Sequence, residues 1–322
     1  MIKRRIIKKN TKTFPKIGHK EHKEKEIPFS SVSQCRSDIF FAPYLKLPTN
    51  FRGKKSVKEV KINNKEVIIE KYFTILTEKH RDVLIACLLS ASKKALRKDD
   101  GYAILFSLRQ VLKKLKLNKN NQAWLIEKLK ELRFAPFTAI DKEDKKKQYP
   151  FTILSELKPS KILNENIDGG FMKDKTYYYY AEISKEYIEF MRYDIQIYIN
   201  TYILESIIEL KNAETKALAW YCLSQNKLNK DIENVLLELG VLSDKTSKQM
   251  KRLKLKNIKE ECQNLKDKFG IEIKKMQTER LGIFYEKHKS VYFLNNKKEI
   301  KFIDLKDERK EQIFTNLIEE IG

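Results

Sequence analysis

The chain has 322 residues, 41% of them hydrophobic and 34% charged, and its 67 Lys and Arg against 44 Asp and Glu give a formal net charge of +23. This length accommodates two domains of ordinary size, and a content of only 9 Gly and 7 Pro argues against a β-sandwich and for helices joined by few irregular loops. So large a cationic surplus attracts phosphate, which makes nucleic acid the first partner to consider and an anionic membrane the second; the membrane lacks support, because no run of roughly 18 apolar residues and no secretory signal is present.

Residues 1–28 are polar, basic and without periodicity, and read as a flexible arm. Alternation in 57–62 and 67–69 predicts a hairpin turning at Asn63-Asn64. Thr77 is placed to cap a largely buried helix containing Val83, Leu84, Ala86, Cys87 and Leu88. After the turn Asp99-Asp100-Gly101 comes a short β run, 102–106. Ser107 and Gln110 then match a capping box opening SLRQVLKKLKL. A second helix, QAWLIEKLKELR, turns Leu125, Leu129 and Leu132 to the core. Two β runs, 133–140 and 149–157, flank the charged loop DKEDKKKQ and read as a two-stranded wing.

Residues 159–175 read as a loop. Four consecutive tyrosines, 177–180, start a strand; such a run can stack on unpaired bases, but alternate tyrosines packing into a core is the commoner arrangement. Ser184 caps a short helix, 194–204 is β-rich, and NAETKALAWYCLSQN is a helix buried through Ala217, Leu218, Trp220, Tyr221 and Leu223. A short helix, 231–239, closes at Gly240. The stretch KTSKQMKRLKLKNIK that follows carries Lys245, Lys248, Lys251, Arg252, Lys254, Lys256 and Lys259 and no acidic residue. Met250, Leu253, Ile258, Cys262, Leu265 and Phe269 give it and its continuation an apolar stripe. β runs at 271–273, 283–285 and 291–294 follow, with the second wing read over 279–294. The tail offers a strand (EIKFIDL) and an amphipathic helix bearing Ile313, Phe314, Leu317, Ile318 and Ile321.

Helix, turn, helix, then β-hairpin is the order of a winged helix-turn-helix, whose second helix enters a major groove. That order occurs twice. The expected architecture is therefore mainly α with small β-sheets (α+β), as two winged helix-turn-helix domains in tandem over 29–183 and 184–322. In the first, Asn118, Lys119, Asn120, Asn121 and Gln122 open the candidate reading helix; Asn and Gln can bond adenine through two hydrogen bonds, and Lys can reach guanine or phosphate. The same Asn-rich segment would also serve simply as a cap. Lys145, Lys146 and Lys147 at the first wing tip suit phosphate better than bases. In the second domain the candidates are Lys245, Ser247, Lys248, Gln249, Lys251, Arg252, Lys254, Lys256 and Lys259.

Catalytic chemistries find little support. The segment Gly53-Lys54-Lys55-Ser56 lacks the earlier glycine of a P-loop. The four histidines (His19, His22, His80, His288) form no metal-binding pair, and no carboxylate cluster suggests a two-metal nuclease. Four dispersed cysteines (Cys35, Cys87, Cys222, Cys262) without a CxxC read as reduced core thiols of a cytoplasmic protein. Binding without catalysis, cofactor or metal is the expectation.

Several stretches resemble the plasmid replication initiators built from two winged-helix domains, of TrfA and RepA/RepE type. Arg36-Ser37-Asp38-Ile39-Phe40 is similar to a segment preceding their first domain. Leu76-Thr77 with Asp82-Val83-Leu84 is similar to their opening helix, as are 107–117 and 124–132 to their helix-turn-helix, and Lys216-Ala217-Leu218-Ala219-Trp220-Tyr221 to the helix opening their second domain. The second wing departs from the family, lacking a Lys-x-Gly-Arg turn. The resemblance implies binding of a monomer to direct repeats (iterons) in double-stranded origin DNA, melting of an adjacent AT-rich segment, contacts with a host replication initiator and the replicative helicase, and a monomer–homodimer switch. Three other readings compete: a winged-helix transcriptional regulator on a palindromic operator, a tyrosine-dependent DNA-nicking enzyme, and an interaction protein whose charge serves only solubility.

Overall fold

The computed structural model describes residues 30–31, 56–62, 65–71, 76–96, 101–160, 178–193, 195–295 and 303–304. The basic arm, the Asn63-Asn64 turn, the Arg36–Phe40 segment, Cys35 and the C-terminal amphipathic helix lie outside these residues. In chain order the first half contains β1 (Ser30–Ser31), β2 (Ser56–Ile62), β3 (Lys65–Lys71), α1 (Glu78–Ser90), β4 (Lys93–Leu96), β5 (Tyr102–Ser107), α2 (Leu108–Lys114), α3 (Gln122–Arg133), β6 (Phe137–Asp141), β7 (Lys147–Phe151), β8 (Leu154–Pro159) and β9 (Tyr178–Ile183). The second contains α4 (Lys185–Tyr193), β10 (Ile195–Ile199), α5 (Thr201–Glu209), α6 (Ala213–Leu223), β11 (Lys227–Asp231), α7 (Ile232–Glu238), α8 (Lys248–Glu260), α9 (Cys262–Phe269), β12 (Glu272–Lys275), β13 (Leu281–Glu286), β14 (Val291–Asn295) and β15 (Ile303–Asp304). The class is α+β, with small antiparallel sheets among the helices.

One topological unit recurs. In the second half, α6, β11, α7, α8 and, after α9, the hairpin β12–β13 come in that sequence, and the strands lie in the order β11-β13-β12. In the first half, α1, β5, α2, α3 and, after the interposed β6 and β7, the pair β8–β9 come in the same sequence, with the strands in the order β5-β9-β8 and β4 added outside β5. In both, the strand between the first two helices pairs with the last strand of the hairpin.

This arrangement corrects both wings read from the sequence. In the first half the hairpin 133–157 does not form one wing: β6 and β7 join a different, five-stranded sheet, β15-β7-β6-β3-β2. The reason is apolar content. Phe137 and Phe151 stack with centroids 5.3 Å apart, and Phe190 of α4 stacks on Phe151 at 4.5 Å. Tyr149 is buried and its hydroxyl donates to the Glu186 carbonyl at 3.1 Å and to Glu189 at 2.9 Å. A hairpin bearing that much aromatic surface needs a covering helix, which α4 supplies. In the second half β14 leaves the hairpin and pairs with β10, which also pairs with β1. The region 194–204, read as β-rich, divides into strand β10 and helix α5.

Two helices hold the centre. Every residue of α6 from Glu214 to Leu223 is buried, as is α1 from Arg81 to Leu88. A helix covered on all sides shows no amphipathic stripe. All the buried apolar residues but Ile140 and Tyr198 form one cluster from Leu76 to Val291. At the start of α1 the Thr77 backbone N–H donates to His80 Nδ1 at 2.9 Å. Ser107 does not cap α2 as expected; its hydroxyl is buried and has no partner among the described residues.

Candidate nucleic-acid interface

The basic stretch forms α8, and its start is firmly set. The Gly240 backbone at φ 69° lets α7 end, after which Val241 and Leu242 turn into the core. Thr246 Oγ1 accepts from the Ser243 N–H at 2.8 Å, and the Ser247 hydroxyl caps α8 by accepting from Met250 N–H at 3.2 Å. Lys245, Ser247, Lys248, Gln249, Arg252, Lys256 and Lys259 are exposed. Lys256 lies 3.8 Å from Glu260, so part of its charge is locally matched. Lys251 is half-buried and 3.9 Å from Glu233 of α7.

Lys254 is a correction. It faces inward, 8% exposed, with its ammonium 3.2 Å from Glu214 of α6, and Asn257 Nδ2 donates to the same carboxylate at 2.6 Å. The inward face of α8 is therefore Lys254 and Ile258, continued by Glu261, Leu265 and Phe269. The apolar stripe read through Met250, Leu253 and Cys262 is rotated from this face: Leu253 is 48% exposed, and Cys262 is exposed too. Only Cys87 and Cys222, of the cysteines described, are core thiols, and burial pushes both far above the usual thiol range.

The hairpin β12–β13, whose first strand packs on α9, adds cations that the sequence reading missed. Lys274, Lys275 and Arg280 are exposed at or near its tip. Lys274 Nζ sits 4.4 Å from the Phe284 ring centroid, and Arg280 lies 3.9 Å from Asp231. The tip closes with Met276 N–H donating to the Arg280 carbonyl at 2.8 Å, and Glu279 adopts φ 59°. Strand alternation around a polar five-residue turn, 276–280, was the available signal.

In the first unit α3 is braced against α1 through His80, which hydrogen-bonds Glu131; Lys128 reaches the same carboxylate at 2.6 Å. Burial raises the Glu131 pKa, but these hydrogen bonds outweigh it and hold it down at about 2. A single 3-10 turn, 119–121, precedes α3. Asn118 Oδ1 accepts from Asn120 N–H at 3.0 Å, and Asn121 Nδ2 donates to the Asn118 carbonyl at 3.2 Å. Asn118 and Asn121 thus shape the turn, while Lys119 and Asn120 are exposed and Gln122 is half-buried. Lys145, Lys146 and Lys147 are exposed on the β6–β7 turn, ordered by Asp144, whose Oδ1 accepts from Lys146 N–H at 3.2 Å. They belong to the five-stranded sheet; residues 161–177, between β8 and β9, lie outside the described residues.

The tyrosines of β9 favour packing. Tyr179 leans on the core and Tyr180 donates to Glu182 at 3.0 Å, with Lys158 5.1 Å from its ring. Tyr177 lies outside the described residues. No helix among the described residues is long and apolar enough to cross a membrane.

No protein-family model matches the chain, and no curated protein matches it. Two solved structures of RctB domains 2 and 3 are similar, each at 11% identity and a TM-score of 0.48. A selenomethionine derivative is matched over 83% of this chain and 100% of that chain. The fragment RctB-155-483 is matched over 74% of this chain and 94% of that chain.

Proposed function

We propose that this chain is a DNA-binding protein of the replication-initiator kind, and that its two units act as tandem winged helices on one duplex. The observation that carries this reading is α8: a capped helix with one face locked into the core and the other presenting Lys248, Gln249, Arg252 and Lys256 to solvent, in the same unit as a hairpin bearing exposed Lys274, Lys275 and Arg280. Such a helix fits a major groove, with the hairpin cations on adjacent phosphates. Two linked units supply from one monomer what a single-helix binder needs a dimer to supply, because docking the first raises the effective concentration of the second.

On this reading the sites are direct repeats, and strand opening draws on repeated binding and DNA bending, with no nucleotide hydrolysis. The partners are double-stranded origin DNA, a host replication initiator and the replicative helicase, with a homodimer as the alternative assembly. The protein acts by binding and does not cleave DNA. The test is selection of duplexes from a randomised pool by the intact protein at physiological salt, followed by footprinting. Enrichment of an asymmetric site recurring in tandem is expected. Enrichment of a palindrome would favour the transcriptional regulator, and no enrichment over scrambled DNA would remove the specific part of the proposal. Relaxation of supercoiled plasmid in Mg²⁺ would overturn the non-catalytic part.

A further inference from the structure

We infer that two buried ion pairs on opposite sides of α6, Asp82–Lys216 and Glu214–Lys254, lock α8 at a fixed angle to the first unit and so fix the half-site spacing that the protein accepts. The spacing clause rests on the proposed DNA-binding role; the lock itself does not.

Residues two apart on an α-helix point about 200° away from each other. Glu214 and Lys216 therefore leave α6 in opposite directions. Glu214 reaches α8, where it meets Lys254 at 3.2 Å and Asn257 at 2.6 Å. Lys216 reaches α1, where its ammonium hydrogen-bonds the Asp82 carboxylate, and it also donates to the Ile208 carbonyl at the end of α5 at 2.9 Å. All four residues are buried, at 3–8% exposure. A third joint ties the ends of the same helices: Glu261, just past α8, accepts from the backbone N–H of Lys211 at 2.7 Å and of Asn212 at 3.2 Å ahead of α6.

Stability alone does not account for this construction. A buried ion pair roughly breaks even with well-packed apolar residues of the same volume, because desolvation offsets the attraction. Direction is what it adds. Leucines across a helix interface can slide and repack, whereas an ammonium confined between one carboxylate and one carbonyl has a single satisfactory position. On a duplex, direction matters: each base pair inserted between two contacted grooves turns the second by about 34°, given about 10.5 base pairs per turn.

The test uses the full chain with Cys35→Ser and Cys262→Ser and nitroxides at Glu127→Cys on α3 and Glu260→Cys on α8, both exposed positions. Pulsed electron–electron distance measurements without DNA should give one narrow distribution. The apolar exchange Asp82→Leu/Lys216→Met, checked for an unchanged circular-dichroism spectrum, should broaden it at least twofold. If that variant does not fold, Glu214→Gln/Lys254→Gln is measured in its place, with the same expectation. A width equal to that of the parent protein overturns the lock, whatever the protein does with DNA. The spacing clause is read from a duplex selected by the intact protein, with one to five base pairs inserted at its centre. The parent protein should lose at least tenfold in affinity by two inserted pairs, and the broadened variant less than threefold. Equal losses overturn the spacing clause, and a pool yielding no preferred duplex overturns it together with the DNA-binding proposal, while the distance result still decides the lock.

Discussion

Arg252 and Lys254 are two residues apart in the same helix, and they illustrate how neighbouring cations take opposite roles. Arg252→Ala should weaken DNA binding at every sequence and lower the slope of log affinity against log salt by about 1. Its effect on unfolding should stay within about 0.5 kcal/mol, since the side chain is exposed. Lys254→Met removes the ammonium facing Glu214 and should destabilise the fold by about 3 kcal/mol. Urea unfolding beside salt-titrated binding separates the two. Glu78 is the residue through which pH acts. Burial pushes its pKa up from 4.5 to about 7, with Arg81, 3.2 Å away, pulling the other way. A folded-state pKa above the unfolded one means that the folded state holds the proton more tightly. The stability this contributes is complete below pH of about 4.5 and is lost as pH rises through about 7. Glu78→Gln, which keeps an acceptor for Arg81, should unfold with less pH dependence and be more stable than the parent at pH 8, by on the order of 3 kcal/mol at most. Unfolding midpoints at pH 5 and pH 8 check it.

Among the elements, α9 and the hairpin after it decide where the second unit's cations stand. α9 ends in a left-handed Gly270 at φ 70°, whose N–H donates to the Lys266 carbonyl at 2.9 Å while Ile271 N–H donates to Leu265 at 3.1 Å. A side chain there has room but the wrong backbone preference, so Gly270→Ala should cost about 1 kcal/mol by thermal unfolding. In the hairpin, Lys274→Ala/Lys275→Ala/Arg280→Ala should lower affinity for specific and scrambled duplexes alike, leaving the preference between them within about threefold. Competition binding at two salt concentrations measures both. These strands were legible as alternating runs. Their partners were not: β14 alternates like β13 yet crosses to β10, and the aromatic pair β6–β7 reads locally like a wing. Strand pairing is chosen by which apolar face finds a cover, and α4, distant in sequence, provides it.

For the whole molecule, the central fact is that α6 is shared. It belongs to the second unit by topology, yet Lys216 is satisfied by Asp82 of α1, and Trp220 lies under Arg81, 5.0 Å from its guanidinium carbon. Surface ion pairs extend the contact, Lys114 to Glu205 at 2.5 Å and Lys116 to Glu209 at 3.0 Å, with Lys268 on the same Glu209 at 2.9 Å. A fragment starting at residue 184 would expose that face and leave Lys216 buried without its carboxylate. It is expected to show no cooperative thermal transition and to bind a hydrophobic dye, where the full chain unfolds in a single step.

The sequence by itself determined the α+β class, the basic helix, a largely buried α1 and one buried side of α6. These depend on local periodicity, capping and the sum of charge, which neighbouring residues settle among themselves. Tertiary structure alone decided which of seven clustered cations face solvent, since a Lys turned towards a buried Glu214 reads in the sequence like any other Lys. It also decided which hairpin completes each unit and that Asp82 meets Lys216 across 134 positions of chain. Charge and apolarity are properties of a residue; burial and pairing are properties of what packs against it.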